Sequence, residues 1–478
     1  MGTNHVKYVD KVTVAKFGGS TIGTYGDGIS GIVERIRYLV KESKIVAVFS
    51  APLAKEGEEK LSITDIMLEI GTAAEDGTKY DFGRIERVYE KMLNNVPEQC
   101  HQSCKEIIKV YLDKCVNIIS SLEKEKFVDE VRSKALAYSG ELLMSEIMND
   151  VLKKSDLSSA VISFNSWPII TDDNIEYTNF LYSASKQHMH EILKLVKTCD
   201  VVTIGGFVGK TTSGVITTYE RGGSDRTAVD IGILLQDKFT VSVDFEKDVS
   251  VYSADPKIVD DGSLIKDLSY NEAKLAATFG MKILDPIAIK DIQDCGTEIP
   301  LTISNTSDPK KFTIIHRDLN TSPSNPLKIV AGKKNCAILR MEKEPSEKML
   351  HSLENKKRYS EFVILSPFSR DGLEFVRILF LDGDYVKRNN KYFLAFDSLA
   401  SITYKRAAIT LIGDEMWRVQ NIVAKISARL GKADINILNM DAQEETSRVI
   451  IITEDTGDVL ERSIQAIHIE RAKITTLV

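Results

Sequence analysis

Apolar and polar positions along this chain keep two rhythms. Residues Lys11–Phe17 (KVTVAKF) alternate weakly and are β-branched, which predicts a strand ending in Gly18-Gly19-Ser20-Thr21. From about 28 to 42 the period lengthens, with Ile32, Ile36, Leu39 and Val40 on one face of a predicted helix. Residues 45–49 are continuously apolar, the pattern of a parallel strand buried on both faces. Strand, glycine turn, helix and buried strand make a βαβ unit. Helical periodicity dominates from about 63 to 154, and short apolar runs at 161–164, 201–204 and 239–243 predict further buried strands. To about residue 316 the chain therefore reads as an open α/β sheet covered on both faces.

The last third changes rhythm. Predicted elements are a strand at 407–412, a helix at 419–430, strands at 435–440 and 448–453, a helix at 459–469 and a strand at 473–477. That βαββαβ order is ferredoxin-like. A shortened copy precedes it: a strand at 336–341, a helix at about 346–353 and a strand at 373–381. The charged stretch 342–358 reads as a solvated helix face.

Composition narrows the class. A length of 478 residues suggests two or three domains, and 43% hydrophobic with 27% charged residues is ordinary for a globular protein. A net charge of −7, with no basic tail, argues against nucleic acid as a partner. No apolar run approaches the roughly 18 residues a membrane helix needs, and the N-terminus lacks a signal-like apolar core. A cytoplasmic protein with no membrane partner is the expectation. Six scattered cysteines suit free thiols, and Cys100, His101, Cys104 and Cys115 lack paired metal-ligand spacing, so no protein-held metal site is expected.

Three glycine-bearing stretches carry candidate chemistry. Residues 204–214 (IGGFVGKTTSG) mimic a nucleotide P-loop through Gly209-Lys210-Thr211. The first glycine of that motif would have to stand at Ile204, and TTSGVITTY after Lys210 predicts a hairpin rather than a helix. Without a helix N-terminus the amides that cradle phosphate are missing, so the P-loop is rejected. Lys16-Phe17-Gly18-Gly19-Ser20, at a strand end, is better placed. So is Arg221-Gly222-Gly223-Ser224-Asp225, before a predicted helix. Each alone is as compatible with an ordinary turn.

In order along the chain, KFGGST (16–21), SAP (50–52) with ITD (63–65), SGELL (139–143), RGGSD (221–225), VYSADPK (251–257), FGMKILDP (279–286) and IPLTISNTSDP (299–309) resemble the aspartate kinase branch of the amino acid kinase family. The resemblance implies a three-layer αβα sandwich with a mostly parallel central sheet, followed by an α+β ferredoxin-like ACT region. It implies a catalytic domain over 1–318, a shortened ACT-like unit over 319–404 and an ACT domain over 405–478. The implied activity is ATP-dependent phosphorylation of a small amino acid, with Mg²⁺ bridging the nucleotide phosphates and a homodimer through the ACT modules.

The implied roles follow residue by residue. Lys16 and Lys282 would be the cations on the transferring phosphate, and Asp225 would hold the lysines. Gly18 and Gly19 would offer backbone donors to the nucleotide, with Asp248, Tyr252 and Lys257 completing its site. Glu141 would take the substrate ammonium and Arg221 its carboxylate, a pairing suited to bidentate guanidinium chemistry. Ser20, Thr64, Gly222, Gly223 and Ser224 would line the substrate.

Several positions depart from the family pattern. Glu220 replaces a glycine before RGGSD, Arg226 follows Asp225, and the nucleotide turn is Lys247-Asp248-Val249-Ser250-Val251-Tyr252, one residue short and without its glycine. Asp285 stands where the family has histidine. The effector loop is reduced to residues 413–417, and Thr446 takes the place of an asparagine. The leading reading on sequence is an aspartate kinase making 4-phospho-L-aspartate from ATP, with a homoserine kinase on the same fold as the alternative and an ACT-based amino-acid sensor as the third. The direction of Arg226 bears on the first two, because an inward guanidinium would favour aspartate's second negative charge.

Overall fold

The computed structural model describes residues 11–122, 126–220, 222–317, 326–356, 362–414, 416, 419–443, 447–471 and 473–474. They fall into two compact units, one up to Ser250 with Ile287–His316, the other Val251–Pro286 with residues from Arg317 onward.

The first unit is built on β1 (Lys11–Phe17), β2 (Lys44–Phe49), β3 (Ser159–Val161), β4 (Val201–Gly205), β5 (Thr240–Lys247), β6 (Leu301–Asn305) and β7 (Phe312–His316). They lie side by side as β7-β6-β5-β1-β2-β4-β3. All neighbours are parallel except β6 and β7, with Lys16 opposite Phe245 on one side and Val48 on the other. Val12, Val14, Ala15, Val46, Ala47 and Val48 are fully buried, as their unbroken apolar runs require of strands covered on both faces. Helix Gly223–Leu235 covers β1 and β5 and is buried along its whole length. Arg35, on helix Ile29–Leu39, reaches the other face of β5. This is the expected mostly parallel sheet between helical layers.

Helices Ile63–Glu75, Gly83–Met92, His101–Ser121, Asp129–Ser139 and Glu141–Lys154 fill the predicted helical stretch. The P-loop mimic is a strand followed by a hairpin: Val208–Thr211 pairs antiparallel with Ile216–Thr218. The predicted strand at 161–164 is corrected to Ser159–Val161, because Ser163 caps a short 3₁₀ turn at Phe164–Ser166.

The second unit has one antiparallel sheet of β8 (Ile329–Glu342), β9 (Phe362–Arg370), β10 (Leu373–Phe380), β11 (Ser401–Ile412), β12 (Asn439–Gln443) and β13 (Arg448–Glu454), ordered β9-β10-β8-β11-β13-β12. The long strands β8 and β11 each serve two cores. Asn335 and Lys405 both adopt left-handed backbone, and the β8–β11 register shifts between Lys333 and Ile338. Before the break, Leu327 and Val330 pack with Ile409, Ile426, Leu430, Ile451 and Ile467. After it, Ala337, Leu339 and Met341 pack with Met349, Ile378, Phe380 and Phe393. One ferredoxin-like unit is thus inserted between two neighbouring strands of the other.

Strand β9 and helices Gly383–Arg388 and Asn390–Leu394 belong to the inserted copy and were not expected from sequence. The helix predicted at 419–430 is Ile422–Lys432, started by Asn421 in left-handed backbone. The strand predicted at 435–440 begins later, at Asn439, after a turn in which Asp434 is also left-handed. Of the last predicted strand, Lys473 and Ile474 are not extended and 475–477 lie outside the described residues.

Candidate active site

The first unit gathers its polar side chains at the carboxyl ends of the parallel strands, where open α/β sheets bind ligands. Lys16 is the penultimate residue of β1, and its Nζ lies 2.7 Å from Asp225 Oδ1. Asp225 sits in the first turn of helix Gly223–Leu235, whose N-cap Gly222 has φ 92°, a left-handed conformation natural to glycine. That bend turns the helix N-terminus, and Asp225 with it, toward β1. Both ion-pair partners are buried, so breaking the pair would strand a charge.

A residue that sequence reasoning did not assign joins them. Lys247 ends β5 with its Nζ 3.6 Å from Asp225 Oδ2, so two ammonium groups face the two oxygens of one buried carboxylate. Alternation along β5 decides this. Phe245 and Lys247 point to the Asp225 side, while Asp244 and Glu246 point to Arg35. The signal was a lysine at the end of a buried strand neighbouring the Lys16 strand. Burial pulls the Lys247 ammonium below its usual range, opposed by Asp225 and reinforced by Lys16.

The other loops converge on the same rim. Ser20 Oγ donates to Asp248 Oδ1 at 3.0 Å, tying the glycine turn to the residue after Lys247. Ser50 of the SAP segment bonds Ser224 Oγ at 3.0 Å. A Cβ on Gly18 would lie 3.0 Å from Lys16 Nζ, so glycine keeps the space beside the ammonium open.

Glu141 begins helix Glu141–Lys154 and is buried. Its Oε2 has no hydrogen-bond partner among the described residues. Burial pushes its carboxyl up to about 7, against backbone hydrogen bonds from its own amide and Ala51 and the nearby Lys16 charge. A buried carboxyl with an idle oxygen is unfavourable unless a cation or donor arrives.

Arg226 is engaged by neighbouring side chains and backbone of its own unit. Its Nε donates to Asp291 Oδ2 at 2.9 Å, a second nitrogen donates to the Thr178 carbonyl, and the guanidinium lies 4.3 Å from the centre of the Tyr219 ring. The discriminating contact considered from sequence is therefore spent on structure. Thr64 is half-buried in the first turn of helix Ile63–Glu75, which Ser62 caps. Arg221, Glu415, Trp417 and Thr446 lie outside the described residues. Tyr252, Lys257 and Lys282 belong to the second unit: Tyr252 bridges to Leu264, while Lys257 and Lys282 are exposed.

A mostly parallel sheet with lysines and glycine turns at its carboxyl edge offers cations and open backbone to an anionic group. The model of the amino acid kinase family matches residues 11–305, and the chain belongs to that family. The bifunctional aspartokinase/homoserine dehydrogenase of Buchnera aphidicola is 22% identical over 95% of this chain, which spans 56% of that relative's length. The aspartokinase of Rickettsia felis is 25% identical over 67% of this chain and 78% of its own. Escherichia coli aspartokinase III, solved with aspartate and ADP in its R-state, shares the fold with a TM-score of 0.76, 17% identity and coverage of 96% and 99% of the two chains.

Proposed function

We propose that this chain transfers the γ-phosphoryl group of ATP to the side-chain carboxylate of L-aspartate, giving 4-phospho-L-aspartate and ADP. An aspartate oxygen attacks the γ-phosphorus, the bond to the β,γ-bridging oxygen breaks, and ADP leaves with that electron pair. No proton moves, because the acceptor is already ionised. The observation that carries the reading is Asp225 between Lys16 and Lys247. A carboxylate matched to two ammonium groups is a poor general base, and a carboxylate acceptor needs none. A hydroxyl acceptor such as homoserine would lose a proton in the transfer.

Glu141 takes the α-ammonium with its idle oxygen, Arg221 takes the α-carboxylate, and Ser20, Thr64, Gly222, Gly223 and Ser224 line the acceptor. Lys16 neutralises charge spreading over the transferring group, and Gly18, Gly19 and Asp248 offer the nucleotide the first unit's contacts, while nucleotide roles for Tyr252, Lys257 and Lys282 rest on the family resemblance alone. The residues of the first unit fit an anion: ammonium groups, open glycine backbone and a helix N-terminus. Among the described residues no group of three His, Cys, Asp or Glu side chains is arranged to hold a metal. Mg²⁺ is assigned to the nucleotide phosphates, where it would supply charge neutralisation.

We assign catalysis to residues 1–318 and amino-acid sensing and dimerisation to 319–404 and 405–478. Edge strands of the C-terminal sheet offer the pairing surface for a cytoplasmic homodimer, which light scattering tests. No helix among the described residues is long and apolar enough to cross a membrane. Lysine and threonine are expected to inhibit weakly or not at all, since the effector segments are reduced.

The deciding experiment is ADP release with ATP, Mg²⁺ and a panel of aspartate, homoserine and glutamate. Aspartate should win by about 10⁴ in kcat/KM, the ratio expected when an acceptor meets a site built for different polar chemistry. Equal or better turnover of homoserine would falsify the assignment.

A further inference from the structure

We propose that Lys247 is a second phosphate-binding catalytic ammonium in the first unit, acting with Lys16 on the transferring phosphoryl group. This deepens the kinase reading and rests on it. The position matters because it ends β5, the strand next to the one that carries Lys16.

The argument is one of charge and distance. Lys16 contacts Asp225 Oδ1 at 2.7 Å. Lys247 stands off the other oxygen at 3.6 Å, longer than a normal hydrogen bond, and its side chain is only 16% exposed. Two ammonium groups thus sit close together in a desolvated place, with the carboxylates of Asp225 and Asp248 beside them. Burial disfavours the charged form of Lys247 and Lys16 adds to this, against the pull of the facing Asp225 and Asp248. An incoming anion removes that penalty. The placement is rigid: Thr306 N–H donates to the Lys247 carbonyl at 2.9 Å, and Asn305 pairs with it across β6. Asp248, the next residue, is held by Ser20 of the glycine turn. Backbone on both sides is therefore tied down, while the ammonium is left facing the rim.

The test uses full-length protein with Lys247→Met and Lys247→Arg. Calorimetric titration with inorganic triphosphate and with AMP is run beside kinetics at varied ATP. Expected results for Lys247→Met are an unchanged circular dichroism spectrum, triphosphate affinity lower by about 10-fold or more, unaltered AMP affinity, and kcat/KM for ATP lower by about 10²-fold. Lys247→Arg should recover part of both losses. If a folded Lys247→Met binds triphosphate and turns over within about 3-fold of the parent chain, the assignment is wrong. The same holds if the parent chain binds no triphosphate. A variant that loses turnover but keeps triphosphate affinity also overturns it, since that is the signature of a structural role. Should Lys247→Met misfold, Lys247→Gln and Lys247→Arg carry the same comparison. Lys247-dependent triphosphate binding without aspartate-dependent ADP release would sustain the anion site while removing the kinase reading.

Discussion

Glu141 shows most plainly how one residue serves function at a cost in stability. Its carboxyl is held near 7 by burial, above its ordinary 4.5. Between those values the native state keeps a proton that the unfolded chain has released, so this group's contribution falls as pH rises through 7. Glu141→Gln should therefore stabilise the fold at pH 8 by on the order of 2–3 kcal/mol, seen as a higher thermal midpoint, and the gain should vanish near pH 4.5. Aspartate turnover should drop by about 10²-fold or more in the same variant, and a pH series of melting curves with kinetics tests both halves. In the unmodified protein kcat/KM for aspartate should climb with pH and level off above about 7, as Glu141 ionises. Lys16→Ala tests the neighbouring pair: Asp225 would lose its 2.7 Å partner, and kcat should fall by about 10²-fold or more. At this scale the sequence was informative about Lys16, Asp225 and Glu141, because each sits in a motif at an element's end. It was mute about Lys247 and Arg226, whose roles depend on which way a side chain turns.

Helices and strands were legible to the extent that their rhythm was local. Strand Lys11–Phe17, helix Gly223–Leu235 and the hairpin after Lys210 follow from alternation, a glycine start and a turn between β-branched pairs. Boundaries slipped where a non-glycine residue took left-handed backbone, at Asn421 and Asp434, since no apolar period announces such a bend. Two substitutions probe elements directly. Gly31 lies within helix Ile29–Leu39, exposed and with open space around a would-be Cβ, so Gly31→Ala should stabilise the fold by about 0.5–1 kcal/mol in denaturant titrations and leave turnover alone. Gly222 has φ 92° at the start of the active-site helix, and Gly222→Ala should cost about 1–2 kcal/mol with a loss of activity, measured the same way.

Across the whole molecule, distant segments meet in ways no window of sequence contains. Arg35, Asp244 and Glu246 form a buried cluster from positions some two hundred residues apart, with Nε to Glu246 Oε1 at 2.6 Å. Thr21 of the glycine turn donates to the Glu246 carbonyl at 2.8 Å, and Ser304 and Thr306 donate to the two carboxylates. Burial raises both acids, and one arginine cannot balance two carboxylates. Arg35→Met should therefore destabilise by about 3–5 kcal/mol, read from denaturant curves, more steeply at pH 8 than at pH 6. The amino-acid order by itself determined that the chain alternates strand and helix, that its end is ferredoxin-like, and which motifs carry charge. These are properties of side-chain periodicity and local backbone preference, which neighbours along the chain already settle. Only the tertiary structure decided that Lys247 faces Asp225, that Asp291 claims Arg226, and that one ferredoxin-like unit interrupts the other. Those outcomes depend on which strands become neighbours and in what register, and pairing across hundreds of residues is set by the packed core rather than by any local pattern.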